Sequence, residues 1–217
     1  MPNVLKATGK IEPFNEEKLR VSVNRAGIPK ELTENIIIEI KSKLYDNIPT
    51  SEIYKYILEF LQKSPQPFSH ARYNLKQAIM DLGPTGYPFE DYIAEILKIE
   101  GFKVMTRQVL YGKCISHEID IVAEKNNFKS MIECKFHNLP GTRSQVHVSL
   151  YTKARFDDVK EKNNFNNVWL VTNTKITQDA LNYAICANMK VISWDYPEKE
   201  SFRDLIEKHK LYPITTL

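Results

Sequence analysis

Two strand-like runs joined by an Asn-Asn pair limit the fold of this 217-residue chain more than any other feature. The runs 116–124 and 129–136 are rich in apolar and β-branched residues and alternate with polar ones over Glu118–Ile121 and Ile132–Phe136, a pattern typical of strands. Asn126-Asn127 between them is a hairpin signal, because asparagine tolerates the left-handed backbone that a two-residue turn requires. With these two residues as the loop, Lys125 pairs with Phe128. The sequence therefore predicts an antiparallel hairpin with a defined register.

That register brings two carboxylates together. Asp120 lies directly across from Glu133, on a polar face that also carries Glu118 and Lys135. Opposed carboxylates repel each other, with Cβ atoms roughly 4.5–5.5 Å apart. A divalent cation between them would reverse the sign of this interaction, and oxygen-only ligands favour Mg²⁺ or Mn²⁺ over zinc. Lys135 shares the face of Glu133 and could hold or polarise a metal-bound water. The opposite, apolar face pairs Ile119 with Cys134 and Ile121 with Ile132.

A second interpretation of the same hairpin needs no metal. Lys135 could pair with Glu118 in a solvated ladder of charges, with Asp120 simply exposed. The hairpin alone does not distinguish the ladder from the metal site.

Bulk composition excludes several classes of protein. The net charge of +3 is too small for a strong electrostatic footprint, so nucleic-acid binding would need local basic patches. The three cysteines form no CxxC pair and no Cys/His ligand spacing, which argues against a zinc site or a disulfide framework. The N-terminus lacks a signal-peptide pattern, and no apolar run approaches membrane-spanning length. We therefore expect a cytoplasmic location and no membrane partner.

The periodicity of the chain changes near residue 84. The first half predicts a small hairpin at 4–14 and four helices, at about 15–26, 32–44, 50–61 and 69–82. The second half alternates between stretches with the helical period of about 3.6 residues and stretches with the strand period of about two residues. It predicts helices at 89–100, 144–160, 176–187 and 201–208, and strands at 102–109, 116–124, 129–136, 168–172 and 191–194. The expected fold is α/β overall, with domains at 1–84 and 85–217 and a mixed sheet covered by helices in the second.

The second half resembles the PD-(D/E)xK nuclease superfamily, and within it the Mrr-like restriction endonucleases. The resemblance lies in a Phe89-Glu90 helix start, the strand Glu118-Ile119-Asp120-Ile121-Val122-Ala123 and the strand Ile132-Glu133-Cys134-Lys135, followed by elements in the order of that fold. It implies an α/β/α restriction-endonuclease-like domain. It also implies a type II or type IV restriction-like deoxyribonuclease that hydrolyses phosphodiester bonds in DNA.

The same resemblance assigns roles to individual residues. Asp120 and Glu133 would be the Mg²⁺ or Mn²⁺ ligands, and Lys135 would orient or activate the attacking water. Glu90 stands in the place of an extra acidic residue, and Gln145 in the place of a glutamine that some related nucleases use. For Glu90 the alternative is an ordinary surface glutamate. Other polar residues of this region could contact phosphate, although a mixed-charge helix is more often merely solvated: Arg143, His147, Tyr151, Lys153 and Arg155.

The first half resembles the ATP-cone, a nucleotide-sensing module. The matching strings are Val4-Leu5-Lys6, Gly9-Lys10-Ile11-Glu12-Pro13-Phe14-Asn15 with Lys18-Leu19, Ile48-Pro49-Thr50-Ser51 and His70-Ala71-Arg72-Tyr73. The resemblance implies phosphate contacts from Lys6, Lys10, Lys18 and Lys76, and base, ribose or positioning roles for Glu12, Asn15 and Thr50. The alternative is that Asn15 and Thr50 act only as helix N-caps. Tyr54 replaces a histidine of some cones.

Two functions follow from these resemblances. The first is a metal-dependent DNA endonuclease whose activity or assembly responds to ATP or dATP, acting as a homodimer or higher homo-oligomer. The second is a nucleotide-sensing, DNA-binding regulator that does not cleave. No Walker-type glycine loop is present, so ATP is expected as an effector rather than as a fuel.

Overall fold

The computed structural model describes residues 2–6, 8–66, 68–139 and 141–216, which form two compact units. The first extends to Ala78, and the second comprises Ile79–Thr215. In the described part of the chain, no helix is both long and apolar enough to cross a membrane. The boundary that the sequence predicts after residue 84 stays a prediction.

The first unit combines a small sheet with helices. Its elements are β1 (Asn3–Leu5), β2 (Ile11–Pro13), α1 (Glu16–Arg25), α2 (Lys30–Lys43), β3 (Ile48–Pro49), α3 (Thr50–Gln62) and α4 (Ser69–Met80), the last of which continues into the second unit. The predicted hairpin and four helices are confirmed. The hairpin is antiparallel, and β3 adds a third strand parallel to β1 that the sequence analysis missed. Ala7, which was predicted within the hairpin, lies outside the described residues.

One hydrophobic core unites these elements. Val23, Ile36 and Ile48, which belong to α1, α2 and β3, are fully buried in it. Asn15 ends the loop after β2 as the N-cap of α1, since its side chain accepts a hydrogen bond from Lys18 N at 2.9 Å. The core and this cap fix the end of the hairpin against the start of α1.

The second unit is a helix-covered mixed sheet. Its elements are α5 (Tyr87–Ile99), β4 (Lys103–Tyr111), β5 (Ser116–Lys125), β6 (Phe128–Lys135), β7 (Arg143–Ser144), α6 (Val146–Asn163), β8 (Asn167–Thr172), β9 (Lys175–Ile176), α7 (Gln178–Cys186), β10 (Lys190–Ile192) and α8 (Phe202–His209), before a 3₁₀ turn at Ile214–Thr216. The five-stranded sheet has the order β10-β8-β6-β5-β4. Strands β4, β5 and β6 are antiparallel neighbours, whereas β6, β8 and β10 run parallel.

Helices cover both faces of this sheet, as predicted. Val168 and Leu170 of β8 join α6 and α7 in one core cluster. The alternate residue Trp169 lies on the other face, beside Ile96 of α5 and Leu205 of α8. The sequence did not predict the 3₁₀ turn or strands β7 and β9, which pair with each other outside the main sheet and are too short to show a period.

The predicted hairpin register is confirmed over its outer half. Lys125 pairs with Phe128, and the ladder continues to the Ile121–Ile132 rung. Asn126 and Asn127 have φ values of 53° and 64°, as a two-residue turn with two left-handed positions requires.

The ladder stops one rung before the predicted Asp120–Glu133 pair. Instead of facing Glu133 across a regular rung, Asp120 uses its Oδ2 to accept a hydrogen bond from Cys134 N at 2.7 Å. The predicted Ile119–Cys134 rung is likewise not formed. On the other side of β5, the Arg107–Asp120 rung is also missing, and Arg107 has a left-handed φ of 51°. The local break therefore falls at the position where the acidic residue must leave the regular pleat.

The break also changes which face each side chain of β5 covers. Ile119 and Val122 join the same core cluster, although an uninterrupted strand would place them on opposite faces. The prediction of an unbroken alternation along β5 was therefore wrong between Ile119 and Val122.

Candidate active site and nucleotide cavity

A cluster of carboxylates lies where β5 and β6 separate. Asp120 and Glu133 are half-buried, and burial raises the pKa of both. For Glu133 the pKa reaches about 7, because burial and the negative charge of Asp120 outweigh the opposing effects of Arg155 and Lys135. The bond from Cys134 N lowers the pKa of Asp120 in part. Two carboxylates held in this way gain from any cation that binds between them.

Glu90 joins the cluster from the first turn of α5. It is 8% exposed, and its Oε2 has no hydrogen-bond partner among the described residues. Arg107 Nη1 approaches that oxygen at 3.5 Å but lies closer, at 2.8 Å, to Asp91. Burial first, and then Asp120, raise the pKa of Glu90 to about 7. An unsatisfied buried carboxylate oxygen is uncommon, and it disagrees with the interpretation of Glu90 as an ordinary surface glutamate.

Arg155 is the cation that contacts these acids. From the sequence it was only one of several residues that could contact phosphate. It reaches from α6 to donate hydrogen bonds to Glu133 Oε2 and to the carbonyl oxygen of Glu118. Its side chain is 9% exposed. The helical period indicated that Arg155 would be buried, because it lies on the buried stripe of α6. This stripe includes Val148, Thr152, Phe156 and Val159. An arginine on a buried stripe requires an acidic partner.

Lys135 and Gln145 occupy different surroundings. Lys135 ends β6 as an exposed residue, and its charge lowers the pKa of Asp120 and of Glu133. Among the ion pairs of the described residues, none joins Lys135 to Glu118, so the ladder interpretation lacks its central contact. Gln145 is the exposed N-cap residue of α6, and its side chain makes no capping bond. The structure therefore groups Glu90, Asp120, Glu133 and Lys135, with Gln145 beyond them at the helix start.

The donor chemistry of the cluster fits a hard divalent cation. All of its ligand atoms are carboxylate oxygens, and Glu90 Oε2 accepts no hydrogen bond from the described residues. Within the described residues, no three His, Cys, Asp or Glu side chains converge as a ready-made metal cage. A site with two protein carboxylates and additional water ligands is the kind that Mg²⁺ usually occupies.

We expect the metal-free protein to lose stability as the pH rises towards neutrality. Glu90 and Glu133 titrate at about 4.5 when unfolded and about 7 when folded, so the folded state binds more protons in between. The contribution of these two groups to stability is therefore complete below pH 4.5 and is lost as the pH rises through 7, by up to about 3 kcal/mol per group. Thermal melts in EDTA at pH 5 and 8 measure the difference. Glu133→Gln should flatten the profile, whereas the exposed Glu124→Gln should not.

A second site lies in the first unit. A cavity of about 260 Å³ opens between the hairpin, α1, α3 and α4. Five of the seven residues predicted to bind nucleotide line it: Lys6, Glu12, Asn15, Lys18 and Thr50. Lys10 and Lys76 are not among its lining residues. Thr50 is the first residue of α3 rather than its cap, which is Pro49.

Charges in this cavity are already paired. Glu12 forms ion pairs with two lysines through the same carboxylate oxygen, with Lys6 Nζ at 3.1 Å and Lys18 Nζ at 2.9 Å. The two lysines, Lys18 foremost, lower the pKa of Glu12. Tyr54, which replaces a histidine of some cones and so is expected to change the adenine contacts, stacks with Tyr73 in the wall, with ring centroids 5.3 Å apart. The cavity thus offers two cations, an aromatic wall and a helix start.

Taken together, the second unit has the fold of a restriction-endonuclease-like nuclease domain: a mixed sheet between helices with acidic residues where a central hairpin opens. Residues 84–198 match the family model described as restriction endonuclease, and residues 2–76 match that of the ATP cone domain. The chain belongs to this restriction endonuclease family and carries an N-terminal ATP-cone.

Individual relatives and solved structures are similar to parts of the chain. An uncharacterized protein of Archaeoglobus fulgidus is 45% identical over 125 residues, which cover 58% of this chain and 71% of the relative. The crystal structure of AF1548, a protein of unknown function, has a TM-score of 0.58 and 41% identity, over 61% of this chain and 71% of that one. A repair endonuclease from Pyrococcus abyssi is more distant, with a TM-score of 0.36 and 17% identity over 46% and 41% of the two chains.

Proposed function

We propose that this protein is a metal-dependent DNA endonuclease whose activity or assembly responds to ATP or dATP. The observation that carries the proposal is the buried acidic cluster of Glu90, Asp120 and Glu133 beside Lys135, in a chain of the restriction endonuclease family. Repelling carboxylates lower the stability of a metal-free protein, so their presence calls for a functional explanation.

Each residue has a role in this proposal. Asp120 and Glu133 bind the cation, and Glu90 adds a further carboxylate at its edge. When bound, Mg²⁺ or Mn²⁺ would supply charge neutralisation at the phosphate and an activated water. Lys135 orients the water from the exposed end of β6. Arg155 holds the Glu133 carboxylate in place through their ion pair and balances its charge.

The nucleotide part of the proposal rests on the first unit. Lys6 and Lys18 meet at one side of the cavity beside the start of α1, where the helix dipole favours phosphate. Tyr54 and Tyr73 provide an aromatic surface for the base. We further propose that the nucleotide acts by changing the association of homodimers or higher homo-oligomers. Such a change would bring one nuclease site to each DNA strand.

One observation favours a different function. Glu133 is already paired with Arg155, and a permanent pair of this kind would leave one carboxylate fewer for a metal. The second candidate is therefore a DNA-binding regulator that senses nucleotide but does not cleave. Mg²⁺-dependent cleavage separates the two candidates.

The direct test is plasmid nicking by the full chain with Mg²⁺ or Mn²⁺, with and without ATP. We expect nicking that requires the metal and changes in rate with ATP. Retention of a DNA mobility shift without any nicking would support the regulator instead. Equal nicking by wild type, Asp120→Ala and Lys135→Ala would expose a contaminating nuclease and reject the assignment.

We expect Glu12→Gln to tighten ATP binding by roughly 10-fold, the effect of about 1.4 kcal/mol. Glu12 holds both lysines in the nucleotide-free cavity, so a phosphate must displace it before it can bind. A neutral glutamine competes less and removes a repelling charge. Isothermal titration calorimetry with ATP measures the change, with Glu17→Gln on the exposed side of α1 as the matched control. Weaker binding by Glu12→Gln would show that the carboxylate contacts the nucleotide directly.

A further inference from the structure

An open concavity that borders Arg155 has no assigned role. It has a volume of about 470 Å³ and lies between α6 and the loop of residues 112–115 that joins β4 to β5. Tyr151, Ala154 and Arg155 of α6 line one side, and Ile115 lines the other. Arg155 connects it to the cluster, because the same guanidinium group binds Glu133. Arg155 therefore links this concavity to the candidate active site.

The loop beside this cavity is held rigidly by one aspartate. Asp158 accepts hydrogen bonds from Cys114 N at 2.7 Å and Ile115 N at 3.3 Å, and contacts His117 Nε2 at 2.8 Å. Its own carbonyl oxygen accepts from Lys113 N at 2.8 Å. Gly112 is required for this closeness, since a Cβ there would lie 2.0 Å from Asp158 Oδ2. The loop is thus preorganised, and its outer side chain is presented in a fixed position.

Two large apolar groups are left exposed at the mouth of the cavity. Ile115, at the tip of the loop, is 63% exposed, and Tyr151 is 60% exposed. The Arg155 guanidinium lies 5.2 Å from the Tyr151 ring centroid, so it supports the ring from behind. Ile115 and Tyr151 line the same concavity, so they form a shared exposed apolar patch rather than two isolated surface residues.

The charges around the cavity suit a polyanion. Asp157 is paired with Lys153 and Lys160 at 2.5 and 2.9 Å, whereas Asp158 keeps its charge but turns its carboxylate inward to the loop, where the side chain is only 13% exposed. Lys113 extends along the rim as an exposed cation. Aromatic rings and arginine planes beside lysines are the usual surface for unstacked bases, and exposed isoleucines are used as wedges between base steps.

We propose that this cavity binds an unstacked nucleobase of the DNA substrate, adjacent to the phosphodiester that the acidic cluster engages. The base stacks on Tyr151, Ile115 occupies the gap that it leaves, and Lys113 contacts the neighbouring phosphate. This inference rests on the proposed function for its choice of DNA as ligand. It adds a substrate class: DNA with a bulged, mismatched or otherwise easily unstacked base is bound more tightly than a perfect duplex.

The test compares two fluorescein-labelled duplexes of the same sequence, one fully paired and one with a single bulged 2-aminopurine. Binding to the full chain is followed by anisotropy, with Ca²⁺ in place of Mg²⁺ to prevent cleavage. We expect about 10-fold tighter binding of the bulged duplex. Tyr151→Ala and Ile115→Ser should remove that preference while changing the affinity for the paired duplex less than 2-fold. Ile185→Ser, which alters an isoleucine that is 55% exposed on α7, is the matched control and should keep the preference.

The outcomes separate this inference from the proposed nuclease. Equal binding of both duplexes by the wild type, or equal losses on both duplexes in the two variants, would overturn the base site even if Mg²⁺-dependent cleavage is observed. A preference for the bulge that depends on Tyr151, in a protein that never cleaves, would support the base site and reject the nuclease. A change in oligomeric state caused by Ile115→Ser, without a change in DNA preference, would assign the surface to a second copy of the chain and overturn the inference.

Discussion

Asp120→Asn is expected to reduce Mg²⁺-dependent DNA cleavage by at least roughly 100-fold, which corresponds to about 2.7 kcal/mol of transition-state stabilisation. The asparagine Oδ1 can still accept the hydrogen bond from Cys134 N, so the separation of β5 and β6 is kept. What is lost is one negative charge that the cation requires. Initial rates of plasmid nicking, measured over a range of Mg²⁺ concentrations, give the change.

The same substitution should stabilise the metal-free protein. Asp120 raises the pKa of Glu133 and of Glu90 by repulsion, and the neutral amide removes both effects. We therefore expect a melting temperature in EDTA at pH 8 that is a few degrees higher than that of the wild type. This opposite movement of activity and stability distinguishes a functional site from a structural one.

Glu124→Gln is the matched control for Asp120→Asn. Glu124 lies on the same strand, is exposed and pairs with Lys129 on a regular rung of the ladder. Its neutralisation should leave both nicking and melting temperature within the error of the wild type. Wild-type rates in Asp120→Asn, or a melting temperature that falls instead of rising, would contradict the metal-site interpretation.

Local patterns in the sequence were sufficient to predict most helices and strands of this fold. The Asn126-Asn127 pair predicted the hairpin and its outer register, because two left-handed positions in a row are a strong and local requirement. The helices that cover the sheet follow from apolar periodicity in the same way. β3 was missed since it has only two residues and forms through a parallel partner far away in the chain.

The geometry of the acidic cluster could be predicted only in part. The register predicted that Asp120 lies near Glu133, but the loss of regular pairing on both sides of Asp120 is a tertiary feature that local alternation does not reveal. Arg155 was weighed only as one of several phosphate contacts, because its partner Glu133 lies on a strand that is distant in sequence. Its position on the buried stripe of α6 was the available clue. A charged residue inside an apolar period therefore merits the same attention as a catalytic motif.

Arg155→Met is expected to lower the free energy of unfolding of the metal-free C-terminal unit by about 3 kcal/mol at pH 8, since it leaves a mostly buried carboxylate without its counter-charge. Methionine keeps most of the packing volume within α6, so the main loss is the pair with Glu133 and the bond to the Glu118 carbonyl oxygen. Chemical unfolding in EDTA, followed by circular dichroism, measures the change. Because the missing charge matters only while Glu133 is ionised, the cost should shrink at pH 5.

A double-mutant cycle isolates the ion pair from the other contacts of Arg155. In the Glu133→Gln background, Arg155→Met should lower the free energy of unfolding much less, because residue 133 then carries no charge that needs a counter-charge. A divalent cation should replace the lost guanidinium charge, so Mn²⁺ should stabilise Arg155→Met more than it stabilises the wild type, as measured by the shift in melting temperature. Equal costs in both backgrounds, together with equal shifts by Mn²⁺, would mean that Arg155 only fills space. The regulator interpretation predicts a different pattern. If Mn²⁺ never displaces Arg155, Mn²⁺ should leave the melting temperature of the wild type unchanged and should raise that of Arg155→Met.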